Sequence, residues 1–102
     1  MFTGIVESIG KILHRESSQN NISLWIQSEF IHELKIDQSV AHNGICLTID
    51  KIENERYRIT AIDETIQKTT IAQWQVEQFV NLERCMKLSD RIDGHIVQGH
   101  VD

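Results

Sequence analysis

The chain contains no proline and only two cysteines, and it has no apolar run of membrane-spanning length. Without proline, the turns fall to glycine, asparagine and aspartate. Together with abundant isoleucine, this suits a strand-rich chain. Cys46 and Cys85 lack a close cysteine partner, which argues against a zinc half-site, and nothing in the sequence points to an oxidising compartment. Free thiols in a cytoplasmic setting are the expectation. A spanning helix needs about 20 consecutive apolar residues, and none is present. The opening MFTGIVESIG has no basic start, long apolar centre or small-residue cleavage site, so it does not read as a secretory signal. Basic residues are scarce: 10 Lys and Arg stand against 15 Asp and Glu, for a formal charge of −5. Arg56 with Arg58 and Arg84 with Lys87 are close pairs, but no basic stripe forms, which excludes a duplex-binding surface.

The 102 residues fit one domain, and hydrophobic and charged fractions of 40% and 25% are ordinary for a globular core. Ile5, Ile9 and Ile12 read as a first strand, bent at Gly10, and the polar stretch from His14 to Asn21 reads as a turn. Ile22, Leu24 and Ile26 alternate with polar positions and Trp25, the period of a half-buried strand. Ser28 and Glu29 suggest the start of a short helix running to Leu34. Strands are predicted at Ser39–Ala41 and Ile45–Ile52, joined by the hairpin signal Asn43-Gly44. Another follows at Tyr57–Ile62. Asp63 to Trp74 is helical in composition, with Asp63 or Thr65 as its cap. A last run extends from Phe79 to near Leu88, and Asp93-Gly94 turns the chain toward His95–Val101. No low-complexity tract, linker or internal repeat is evident. About six short strands with regular turns and two short helices predict an all-β, closed or nearly closed antiparallel barrel.

Three segments are richer in polar and turn residues than packing requires: Phe2 to Val6, Ser39 to Thr48, and Gly94 to Asp102. His42, His95 and His100 with Cys46 could form a metal set. However, His95 and His100 would point to opposite faces of one strand, and hydrogen-bonded or solvated histidines are the ordinary reading. Cys46 paired with His42 or His100 could be a thiolate–imidazole couple. The flanking Ile45 and Leu47 equally suit a packed cysteine. Gly94 and Gly99 lack the spacing and following helix of a dinucleotide fingerprint. They suit close approach of the backbone to a strand or flat ligand. Glu53–Arg58 reads as a solvated hairpin tip, Asp63-Glu64-Thr65 as an acidic first helical turn, and Trp25 and Trp74 as packing anchors.

Taken together, these segments resemble riboflavin synthases. The resemblance rests on Met1-Phe2-Thr3-Gly4-Ile5-Val6-Glu7, on Asn43-Gly44-Ile45-Cys46-Leu47-Thr48, on Val80-Asn81-Leu82-Glu83-Arg84, and on Gly94 through Asp102, in the family's order. It implies a six-stranded antiparallel Greek-key barrel with one or two short helices over residues 1–97. Residues 98–102 would begin the connection to a second, similar barrel. It also implies a reaction without metal or organic cofactor, in which two molecules of 6,7-dimethyl-8-ribityllumazine exchange a four-carbon unit. The products are riboflavin and 5-amino-6-ribitylamino-uracil.

The resemblance places the ligand shell at Gly4, Ile5 and Val6, at Cys46, Leu47 and Thr48, at Thr60, Ala61, Ile62, Asp63, Glu64 and Thr65, and at Gly99, His100 and Val101. Phe2 and Thr3 would close over it. Ser39, Cys46 and His100 match positions implicated in the chemistry: His100 as a proton shuttle, and Cys46 or Ser39 as a group that adds to the ring or hydrogen-bonds it. The implied partners are the small-molecule lumazine or riboflavin, the second barrel and further copies of the chain, with neither nucleic acid nor membrane. A carrier that binds lumazine or flavin without catalysis is the alternative; the trio Ser39, Cys46 and His100 favours the enzyme.

Overall fold

Alternation of apolar and polar residues organises the chain into strands whose inward positions fill one core. The computed structural model describes Phe2 and residues 4–85. The strands are β1 (Ser8–Ser18), β2 (Asn21–Gln27), β3 (Ser39–His42), β4 (Ile45–Glu53), β5 (Arg56–Ala61) and β6 (Phe79–Arg84). One α-helix, α1 (Asp63–Lys68), and 3-10 turns at Ile31–Glu33 and Ile71–Gln73 lie in the two long connections. All pairings are antiparallel, and the order β1-β2-β5-β4-β3-β6 closes into a barrel. The hairpin-linked β3, β4 and β5, with β6 returning beside β3, form a Greek key. Ile12, Leu24, Ile26, Val40, Ile49, Tyr57, Ile59 and Leu82 are fully buried inside it.

The hairpins follow from their turn residues. Asn43 and Gly44 take φ of 51° and 84°, and Asn54 and Glu55 take 52° and 64°. Two successive left-handed residues give the turn whose twist matches the flanking strands.

The local departures from expectation have physical causes. β1 starts at Ser8 and continues to Ser18, so most of the polar stretch after His14 is strand. A bulge between Ile12 and His14 bends β1 and lets it follow β2 through the Ser18–Asn21 pair. The predicted helix ending at Leu34 is only a 3-10 turn, and the one from Asp63 to Trp74 stops at Lys68. Neither Asp63 nor Thr65 caps it: Ile62 occupies the cap without a side-chain bond. Residues beyond Cys85, including the end of the last predicted strand and the Asp93-Gly94 turn, lie outside the described part.

The backbone contains a repeat that the sequence hides. Ile31, Leu34, Asp37, Gln38 and Val40 are matched by Ile71, Trp74, Glu77, Gln78 and Val80. Asp37 and Glu77 both adopt left-handed φ, 76° and 77°. Gln38 accepts from the Lys35 amide and Gln78 from the Gln75 amide, each at 3.0 Å. Asp37 N donates to Ile49 O at 2.8 Å, as Glu77 N does to Ile12 O at 2.7 Å. A second bulge, between Ile49 and Lys51, mirrors that at Ile12. A pseudo-two-fold axis therefore exchanges β1, β2 and β6 with β4, β5 and β3.

Candidate functional site

The inward positions Val40, Leu47 and Ile49 direct their neighbours Ser39, Cys46 and Thr48 to the barrel's outer face. There Ser39 pairs with Thr48, and Ala41 with Cys46. On its other side, Ala41 pairs with Glu83, and the Cys85 amide donates to Ser39 O at 3.2 Å. Two short rows result: Glu83, Ala41 and Cys46 in one, Cys85, Ser39 and Thr48 in the other. Thr60 extends the face, since Thr48 and Thr60 flank the paired Ile49 and Ile59. Its hydroxyl donates to Asp50 Oδ2 at 2.7 Å and lies 2.9 Å from the Ser23 hydroxyl. Because Thr60 has one proton, Ser23 donates to it. Arg58 Nε donates to the other Asp50 oxygen at 2.7 Å.

The N-terminal segment borders this face. Gly4, at φ 83°, donates its amide to Glu83 Oε1 at 3.0 Å. Glu7 N donates to Leu82 O at 2.8 Å. The Glu7 carboxylate receives the Arg84 amide at 2.9 Å and also its Nε and Nη2, while Arg84 Nη1 reaches Glu33 at 2.8 Å. The guanidinium also lies 4.5 Å from the centre of the Phe30 ring. Hydrogen bonding to Arg84 holds the Glu7 carboxyl below the usual carboxylate range, and the same bonds raise Arg84. A cavity of about 240 Å³ lies between this segment and the β3–β4 hairpin, walled by Gly4, Val6, Ala41, Asn43, Gly44 and Glu83, among others. Val6, which lines the cavity, is 52% exposed, and its neighbour Ile5 is 71% exposed.

The sequence-derived residues thus separate into groups. Gly4, Val6, Ser39, Cys46, Thr48 and Thr60 share the outer face and its border. Leu47 and Ala61 turn into the core. Ile62, Asp63 and Glu64 are exposed and Thr65 is half-buried where β5 passes into α1. There, Asp63 accepts from Gln67 at 3.0 Å and Glu64 pairs with Lys68 at 3.2 Å. Phe2 is half-buried. Thr3, Gly99, His100 and Val101 lie outside the described residues.

His42 is not available to Cys46, because it faces inward. It is fully buried, with Nδ1 2.9 Å from Val40 O and Nε2 2.7 Å from the Tyr57 hydroxyl. Among the described residues no cluster of three or more His, Cys, Asp or Glu side chains is placed to hold a metal. Likewise, no helix there is long and apolar enough to cross a membrane. Ala41, Glu83 and Cys85 join the face although the sequence placed none of them in the ligand shell. The signal for Glu83 was its place in Val80-Asn81-Leu82-Glu83-Arg84, while Ala41 and Cys85 needed the register.

The profile of the lumazine binding domain matches residues 3–85. Riboflavin synthase of Saccharomyces cerevisiae is 36% identical over 110 residues, covering 100% of this chain and 46% of the relative. The riboflavin synthase of Photobacterium phosphoreum is 39% identical over 104 residues, covering 100% and 48%. This chain therefore spans about half the length of these relatives. Among solved structures, LumP complexed with riboflavin superimposes with a TM-score of 0.77 at 27% identity, over 82% of this chain and 46% of that one. LumP complexed with 6,7-dimethyl-8-(1'-D-ribityl) lumazine gives a TM-score of 0.80 at 24% identity, over 96% and 52%, which supports the barrel fold. With the barrel, the N-terminal border and the matched residues in agreement, this chain belongs to the lumazine binding domain family.

Proposed function

We propose that this chain is the N-terminal half of a riboflavin synthase and that its outer face binds 6,7-dimethyl-8-ribityllumazine and riboflavin. The observation that carries the reading is the register bringing Ser39 opposite Thr48 and Ala41 opposite Cys46, beside the Gly4–Val6 border. Small side chains there leave room for a flat ring, while hydroxyl and thiol groups supply hydrogen bonds to its heteroatoms. The electron-poor lumazine ring makes an attached methyl acidic. A base removes a methyl proton, and the resulting negative charge spreads over the ring, where aligned donors stabilise it.

In this reading Thr48 and Thr65 hold ring and ribityl groups, His100 shuttles protons, and Cys46 or Ser39 engages the ring directly. The four-carbon transfer joins two lumazines, so a second barrel must bring the second substrate into line. That barrel, further copies of the chain and a cytoplasmic setting complete the proposal.

The test is turnover of the lumazine by this chain mixed with the C-terminal half of a full-length relative. Product from the mixture and little from either part supports the enzyme. Binding without turnover in the mixture favours a lumazine or flavin carrier, the reading to which the likeness to riboflavin-bound LumP lends weight.

A further inference from the structure

We propose that Glu83 is a positioning residue of this site: by holding Gly4, it fixes Ile5 and Val6 as the apolar edge against which a flat ring lies. The inference rests on the outer face being the ring site. Glu83 sits on that face, in one row with Ala41 and Cys46, and its Oε1 accepts the Gly4 amide at 3.0 Å. The next residue along β6, Arg84, holds Glu7 from the other end of the segment. Ile5 and Val6 are therefore suspended between two anchors on consecutive residues of one strand, and Val6 lines the cavity.

The arrangement has an energetic purpose. Ordering a free backbone carries an entropic cost at every residue. A segment already ordered by the fold does not charge that cost against ligand binding. Gly4 has the left-handed φ of 83° that brings its amide to the carboxylate, a conformation that suits glycine. A carboxylate oxygen is a strong acceptor for a backbone N–H. A neutral carboxamide oxygen in its place still accepts the bond, but a methyl group does not.

The experiment is a riboflavin titration, followed by flavin fluorescence, of the full chain and of Glu83→Ala, Glu83→Gln, Ile5→Ser/Val6→Ser and the triple variant, with thermal melts to confirm folding. Glu83→Ala should weaken binding about tenfold and Glu83→Gln by no more than about twofold. Because Glu83 acts through the segment, Glu83→Ala should add nothing in the Ile5→Ser/Val6→Ser background, a coupling of roughly the whole effect. Equal weakening in both backgrounds would mean that Glu83 meets the ligand itself and would overturn the proposal. Riboflavin binding unaffected by Glu83→Ala would also overturn it while leaving the ring site intact. Absence of riboflavin binding by the unaltered chain would remove both.

Discussion

The Tyr57 hydroxyl donates to His42 Nε2 across 2.7 Å inside the barrel. The direction is fixed by the other end of the imidazole, where Nδ1 must carry the proton because Val40 O, 2.9 Å away, can only accept. His42 is therefore held in one neutral tautomer, and burial lowers its pKa from 6.5 to about 4. The neutral folded form binds fewer protons than the unfolded chain between those values. Stability should accordingly rise as pH climbs from about 4 through 6.5 and be lost as pH falls through that window. The full contribution is on the order of 3 kcal/mol. Urea denaturation at several pH values should show a shallower slope in His42→Gln than in the parent. Equal slopes would exclude His42 as the source. Tyr57→Phe, which leaves Nε2 buried without its donor, should cost about 1–3 kcal/mol.

Gly10 lies where β1 passes between β6 and β2, and a Cβ there would sit 2.7 Å from Leu82 Cδ1, 2.9 Å from Ile26 Cγ2 and 3.1 Å from Gln27 O. Gly10→Ala should destabilise the barrel by about 1–3 kcal/mol, since two core side chains and a backbone oxygen must move. An unchanged denaturation midpoint would mean that the strand yields without strain.

Strand alternation from Ile22 to Ile26 and the Asn43-Gly44 hairpin made much of the barrel legible in the sequence. The long connections were harder to read. Ile31, Leu34, Ile71 and Trp74 bury apolar side chains from 3-10 turns, and such turns share the helical spacing of apolar residues over a short stretch. The pseudo-two-fold was hidden because its halves preserve backbone geometry rather than residue type: His42 corresponds to Leu82, and Asp37 to Glu77. For the site, motifs pointed to Ser39, Cys46 and Thr48. Their common face with Ala41, Glu83 and Cys85 required the strand register, because β6 reaches β3 only through barrel closure.

The proposed roles of Thr48 and His100 separate binding from chemistry. Thr48→Val should weaken riboflavin about threefold to tenfold, the loss of one hydrogen bond at an exposed position, with little change in thermal stability. In a full-length protein, His100→Ala should lower kcat far more than it weakens substrate binding. Equal losses in both would make His100 a binding group and not a proton carrier.

The pseudo-two-fold places Phe79 and Ile9 where the site has Ser39 and Cys46. These two apolar side chains are 64% and 60% exposed on neighbouring strands. Exposed apolar area of this kind favours association. Sedimentation should show the chain self-associating as its concentration rises, and Phe79→Ser should shift it toward monomer. A chain that stays monomeric at high concentration would contradict this role for the patch.

Titration of riboflavin into the unaltered chain and into Thr48→Arg tests the ring site most directly. Saturable quenching of flavin fluorescence by the former, and its loss in a folded Thr48→Arg variant, is the predicted result. No quenching by the unaltered chain, or identical curves for the two proteins, would contradict a ring bound on this face.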